Sequence, residues 1–184
     1  MSDFTFVTSN DIKVQAATVV CNEFGFKFDR HVIDFVEIQS SDGQAIARHK
    51  AEQAYAELKQ PVVVTDDSWL TPDLNGFPGP YMKQVNDWFS TDDWLRLTRD
   101  LEDRRMILRQ IIVYQDVDGQ HVFECELEAL LLRESRSTTD IKHFSIISFD
   151  GGKHSAAEMS ENGESAIKHL NNSWHDFCEW LKNK

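Results

Sequence analysis

The sequence predicts an α/β fold with a mixed central sheet, flanking helices and an antiparallel extension, and three observations carry that expectation. Early in the chain, short apolar runs alternate with helix-patterned segments, as βαβ units do. The run "VVVT" (Val62–Thr65) is continuously apolar, as in a strand buried on both faces. From Met106 onward, two β-type runs flank "DVDG", a good hairpin turn. A single domain over 1–184 is expected. A chain of 184 residues with 41% hydrophobic content can bury one core, and no linker, repeat or low-complexity segment divides it.

In chain order, "FTFVTS" (Phe4–Ser9) reads as a strand, and "NDIKVQAATVVCNEFG" as a helix whose apolar residues Val14, Ala17, Val20 and Cys21 share a face and which stops at Gly25. "HVIDFVEI" (His31–Ile38) looks like a second strand. "DGQAIARHKAEQAYAELKQ" (Asp42–Gln60) is built of good helix formers and is halted by Pro61. "VVVT" is the third strand, ending on Asp66 and Asp67. The segment "TPDLNGFPGPYMK" (Thr71–Lys83) is punctuated by prolines and glycines and is expected to be a structured loop. A short helix follows over "TDDWLRLTRDL". After the hairpin, the last part from about Ser160 to Lys184 reads as helix, with Trp174, Phe177, Cys178 and Leu181 as its apolar stripe.

Composition excludes several classes of function. A formal net charge of −12 argues against a nucleic-acid polymer as partner, since neutralising phosphates needs a basic surface. Any polyanionic ligand must be met by a local group of Lys and Arg with a divalent cation. Cys21, Cys125 and Cys178 have neither CxxC nor CxxH spacing, so reduced, partly buried thiols are expected. The start "MSDFTFVTSND" carries no signal pattern and no apolar run approaches membrane-spanning length. A soluble cytoplasmic protein without membrane partners is the expectation.

Two places suggest chemistry. In "VTSNDIK" a strand runs into a helix N-terminus through Thr8, Ser9 and Asn10, with Lys13 one turn inside; free N–H groups, hydroxyls and an ammonium can cradle an anion. The plainer reading is an ordinary cap with Lys13 solvated. Glu37, Asp66 and Asp67 lie at expected strand ends, which converge on a crevice in open α/β sheets, where few carboxylates plus ligand phosphates suit magnesium. Side chains alternate along a strand, so Asp66 and Asp67 point to opposite faces unless the chain turns between them, and one of them is expected to be central.

Six segments, "FVTSNDIK", "EIQS", "RHKAEQA", "VVTDDSWL", "LNGFPGPYMK" and "AEMS", resemble in order and spacing the inosine/xanthosine triphosphate pyrophosphatase (Ham1-like) family. The resemblance implies an ITPase-like, Maf-Ham1-type fold and hydrolysis of non-canonical nucleoside triphosphates to monophosphate and pyrophosphate, as nucleotide-pool housecleaning. It implies that Thr8, Asn10 and Lys13 bind the triphosphate, that Glu37 is associated with metal, and that Asp67 activates water and handles Mg2+, with Mn2+ left open. Lys50, in "RHKAEQA", falls at the family's substrate-side lysine, against the plainer reading of an exposed helix lysine. A homodimer is implied as well, and "DWFSTDDW", with Trp88 and Trp94, is a candidate contact segment on aromatic content.

The second half departs from the family's base-recognition pattern. Lys142, His143 and Phe144 stand where G-Y-D-P is expected, and "NSWHDF" replaces S-H-R, so that Ser173 fits, Trp174 takes the place of His and His175 that of Arg. A histidine lacks the donor fork with which arginine reads a carbonyl bidentately. Phe144 and Trp174 could still stack on a base, or else be core residues. "DRR" (Asp103–Arg105) resembles a basic pair before the family's long strand; its plainer reading is a polar lead-in to that strand. Beside the enzyme stand two other readings: a catalytically reduced nucleotide-binding or regulatory protein, and a dimerisation module.

Overall fold

The computed structural model of the chain describes residues 2–162 and 172–184. Seven strands form one mixed sheet in the order β2-β1-β3-β5-β6-β7, with β4 pairing onto β3. Contacts divide the chain into two compact units, one of Met1–Asp67, Gln110–Cys125 and Leu170–Lys184, the other of Ser68–Arg109 and Glu126–His169, each over its described residues.

In the first unit β1 (Phe4–Val7) leads through Thr8, Ser9 and Asn10 into α1 (Asp11–Phe24). Gly25 ends that helix at φ 80°, a left-handed conformation that glycine adopts without a Cβ clash. β2 (Phe28–His31) pairs parallel with β1 at the sheet edge; α2 (Gly43–Leu58) follows, capped by the Asp42 carboxylate, and β3 (Val62–Thr71) pairs parallel with β1 on its other side. Alternation then sorts the side chains. Phe4, Phe6 and Val63 pack with Ala17, Val20 and Cys21 of α1 and with Trp174, Phe177 and Cys178 of α6 (Asn172–Lys182). Val7, Val62 and Val64 face the other way, onto Ala47, Ala51 and Ala54 of α2. Ile111 and Val113 of β5 (Arg105–Asp116) join that second cluster, and β6 (Gly119–Leu131) completes the hairpin after a two-residue turn.

The second unit holds the rest. β4 (Phe77–Gly79) folds back antiparallel on β3, pairing Trp69 with Gly79 and Thr71 with Phe77 around a turn that has Asn75 and Gly76 at positive φ. α3 (Met82–Trp88) and α4 (Thr91–Leu97) follow, the latter started by a Ser90–Asp93 capping box. Trp94 is fully buried against Phe77 and Phe89. β7 (Ile147–Ser148) pairs antiparallel with β6, and α5 (Ala156–Glu161) carries a second capping box, Ser155 with Glu158. Arg104 donates to the carbonyls of Thr98, Leu131 and Leu132 at 2.7–2.8 Å, so its guanidinium is a structural tie.

Several expectations need correction. His31–Ile38 is not a strand: only His31 pairs, and 32–38 has no regular structure, because Ile33 and Phe35 pack on the α2-side cluster while Val32 and Val36 point to solvent. Its alternation is that of an extended segment lying on a helix, and the Gln53 amide bonds both N–H and C=O of Val36 in place of a neighbouring strand. β3 does not stop at the acids but runs through them to Thr71. The 71–83 loop contains a 3-10 turn (Pro72–Leu74), β4 and the start of α3. The buried Trp94 is no surface aromatic, whereas Trp88 is 75% exposed. Of the helix expected from Ser160, 163–171 lie outside the described residues. Cys21 and Cys178 are buried free thiols with sulfurs 3.9 Å apart. Among the described residues no helix is long and apolar enough to cross a membrane.

Trp174 is 1% exposed and meets Phe6 and Phe177 edge-on at 5.1 and 5.7 Å. Its ring is spent on the core. Trp174→Ala is expected to lower unfolding free energy by about 3–5 kcal/mol in urea titrations, and Trp174→Phe by clearly less, because the aromatic volume is mostly kept.

Candidate active site

The site begins at the N-terminus of α1. The Asn10 side chain accepts from the backbone N–H groups of Ile12 and Lys13 at 2.9 and 3.2 Å, and the Thr8 hydroxyl accepts from Asn10 N at 3.1 Å. The cap reading of Asn10 is therefore correct, but it is compatible with the anion reading, since a capped N-terminus still presents a positive dipole end. Arg30, on the neighbouring β2, clamps this loop: its Nε donates to Thr8 O at 3.1 Å, and its two terminal nitrogens reach Ser9 O and the Asp11 carboxylate, each at 2.7 Å. The Ser9 residue is exposed.

Alternation along β3 sets the acids. Val63 faces the α1 side and Val64 the α2 side, so Asp66 falls on the α2 side and Asp67 on the α1 side. Each acid meets the lysine that its own helix supplies. Lys13 Nζ is 3.1 Å from Asp67 Oδ2 and 3.5 Å from Thr65 O. Lys50 Nζ is 2.7 Å from Asp66 Oδ1 and 2.7 Å from Glu37 Oε1. Lys50 is buried at 9% exposure, which excludes the reading of an exposed helix lysine.

Burial disfavours the Lys50 ammonium, but the Asp66 charge and the hydrogen bonds to Asp66 and Glu37 outweigh it and raise its pKa above the ordinary lysine value. Burial likewise raises the Asp66 pKa against the pull of Lys50 and Lys13. Both partners rise because Lys50 holds two carboxylates, whereas Asp66 loses its water and has Asp67 beside it. The remaining oxygen of Asp67, Oδ1, is buried without a hydrogen-bond partner, and so is Thr65 Oγ1. Leaving a carboxylate oxygen desolvated and unpaired is costly, and a proton, water or cation would relieve it.

As metal ligands these acids offer hard oxygens of the kind magnesium takes. The unpaired Asp67 Oδ1 fits that role. Among the described residues, however, no three acids or histidines stand together to hold an ion unaided, and the point where Glu37 and Asp66 converge holds an ammonium.

The structure thus brings Thr8, Asn10, Lys13, Glu37, Lys50, Asp66 and Asp67 into one unit around two helix–strand contacts. Of the base-side candidates in the same unit, Ser173, Trp174 and His175, none is gathered there. Ser173 is buried, its hydroxyl bonded to Gln110 Oε1. Trp174 is core, a correction to the stacking expectation. His175 lies 3.3 Å from Glu23 and edge-on to Phe24, at the far end of α1; ten residues of helical rise put Glu23 about 15 Å from Lys13 along the axis. In the second unit Phe144 is half-buried against His143 and Trp69. His143 itself is buried, bonded through Nδ1 to the Asn86 side chain, and burial pushes its pKa down to about 3, so the ring is neutral.

Sequence reasoning missed three residues. Arg30 carries no local motif; only the parallel register that sets it opposite Phe6 places it near the loop. Gln53 reads as an ordinary helix residue, and Thr65 as the last residue of an apolar strand. A polar residue ending a buried run was the one available signal for Thr65.

Asn10→Asp separates the capping role from the anion-binding role. The cap survives, since Asp caps as well as Asn and suits the dipole, so thermal stability is expected to change by less than about 0.5 kcal/mol. The added negative charge is expected to weaken triphosphate binding, measured by calorimetry, by about tenfold or more.

A Ham1 family model matches residues 4–180. Among curated proteins, the dITP/XTP pyrophosphatase of Methanopyrus kandleri is 29% identical over 179 residues, covering 97% of this chain and 95% of its own. The dITP/XTP pyrophosphatase of Hyperthermus butylicus is 26% identical over 175 residues, covering 95% and 92%. Among solved structures, a HAM1 protein from Coxiella burnetii superposes with a TM-score of 0.78 at 18% identity over 100% of both chains, and the Staphylococcus aureus Ham1 protein with 0.76 at 20% identity over 97% and 98%. At those identities the two structures speak for the fold alone. Because the family match runs from the first strand into the last helix, the chain belongs to the Ham1 family.

Proposed function

We propose that this protein is a divalent-metal-dependent nucleoside triphosphate pyrophosphatase, converting a non-canonical nucleoside triphosphate to its monophosphate and pyrophosphate. The observation that carries the reading is the Lys13–Asp67 pair beside the capped N-terminus of α1, with one Asp67 oxygen unpaired. The dITP/XTP pyrophosphatase activity for which the curated relatives are named supports it. No observation favours the reading as a catalytically reduced binding protein, and the buried Lys50 with its two acids is more than a dimerisation module requires.

The roles follow from charge and position. The N-terminus of α1, held by Arg30 and Asn10, and the Lys13 ammonium bind the phosphates and stabilise the negative charge that develops on them. Lys13 also fixes the Asp67 carboxylate through Oδ2, which leaves Oδ1 for one of two uses, ligating the metal or accepting a proton from the attacking water. Glu37, Asp66 and Asp67 are the residues that would hold the metal, magnesium by preference and manganese as second choice. When bound, it would acidify water and neutralise phosphate charge. Housecleaning in the cytoplasm and a homodimer belong to the same proposal. For the homodimer, the exposed Trp88 is the contact we nominate, and sedimentation as a monomer at high concentration would remove it.

The test is pyrophosphate release with Mg2+ across canonical and deaminated nucleoside triphosphates, ribo and deoxy. Release is expected from some of the panel, and Asp67→Asn is expected to lower it about 100-fold or more while the fold and nucleotide binding stay intact. If no triphosphate is hydrolysed by the folded protein, the enzyme reading fails. If the variant turns over like the parent, Asp67 is not the base.

A further inference from the structure

We infer that Lys50 is a built-in counter-cation for Glu37 and Asp66, which a divalent metal ion must displace before those two carboxylates can bind it. The inference rests on the metal-dependent reading above and adds a competitor to it. The Lys50 ammonium sits 2.7 Å from one oxygen of each acid, which places it on the point where the two carboxylates converge. Magnesium needs oxygen ligands at roughly 2.0–2.1 Å in near-octahedral array. An ammonium in contact with the same two oxygens fills that space and repels a dication, so the two cations exclude each other.

The surroundings allow the exchange. Asp66 is 8% exposed on a strand and cannot follow a moving partner, whereas Glu37 sits in a segment without helix or strand and its side chain is 53% exposed. Lys50 projects from α2 on a four-carbon stem that can swing while the helix stays in place. Charge balance favours the exchange as well: two carboxylates with one ammonium keep a net negative charge, and a dication in its place removes it. Without the metal, Lys50 spares the buried Asp66 an uncompensated charge. With the metal bound, the ammonium is released to other anions.

The experiment titrates Mn2+ alone, without nucleotide, into the wild-type protein and Lys50→Met, by calorimetry at mildly alkaline pH. The variant is expected to bind Mn2+ about tenfold or more tightly than the wild type, because a charge in contact with the site is gone. Adding Glu37→Gln to the variant is expected to cancel that gain. Equal or weaker binding by Lys50→Met, or none, overturns the inference. Should Lys50→Met not fold, the wild-type ammonium is followed directly by 15N NMR, with the Lys50 signal assigned from Lys50→Arg. On Mg2+ addition it should lose its hydrogen-bonded shift, and an unmoved signal refutes displacement. Neither readout uses turnover, so failure of the pyrophosphatase reading would appear separately, as an absence of pyrophosphate release.

Discussion

The strict alternation of side chains along β3 is the constraint on which the site depends. Adjacent aspartates on one strand would repel if both faced one way. Because the strand continues through them, Asp66 turns to the α2 side and Asp67 to the α1 side, and each acid finds a lysine already placed by the helix on its face. Two ion pairs thus spring from adjacent residues of one strand. A register shift of one residue would exchange the faces and leave both lysines without their partners. The parallel pairing of Thr5 with Val62 and Phe6 with Val63, together with the two apolar clusters that close on Val62, Val63 and Val64, holds that register.

A chain of net charge −12 that is proposed to receive a triphosphate has to solve an electrostatic problem locally. The solution lies at one helix end. Arg30 directs three hydrogen bonds to the backbone of the Thr8–Ser9 loop and to Asp11, so its charge is delivered beside the loop in a fixed position. Lys13 adds an ammonium one turn into the helix, and the dipole of α1 points the same way. Three modest contributions converge where a single basic patch is missing. On the other face, Lys50 serves the opposite need by keeping two acids close together.

Much of this was legible in the sequence, for reasons that differ between residues. The helices announced themselves through Asn10, Asp42, Gly25 and Pro61, all local stop and start chemistry. The alternating fates of Asp66 and Asp67 followed from strand geometry alone. What misled was periodicity without context: "HVIDFVEI" alternates because an extended segment lies on α2, and nothing in those residues says whether a strand or a glutamine side chain will satisfy Val36. Trp174 was ambiguous for a related reason. An apolar stripe shows which face of a helix is buried but not whether a large aromatic on it is core or ligand contact, and here Phe6 and Phe177 decide. Arg30 was invisible because its role arises from a pairing between strands that are distant in sequence.

Asp67 Oδ1 and Thr65 Oγ1, two of the buried oxygens left unpaired among the described residues, fit the same logic. By the alternation of β3 both lie on the side of α1, two positions apart along the strand, and Lys13 reaches the Thr65 carbonyl and the Asp67 carboxylate. A flexible loop would rotate such groups out to water. β3 cannot, since it is held between β1 and β5 in the sheet. The strand therefore keeps polar atoms unsatisfied in a position where relaxation is blocked. That is the condition under which a bound water or cation gains most from meeting them, and it is the rigidity of β3, as much as the identity of any single acid, on which the proposed site would draw.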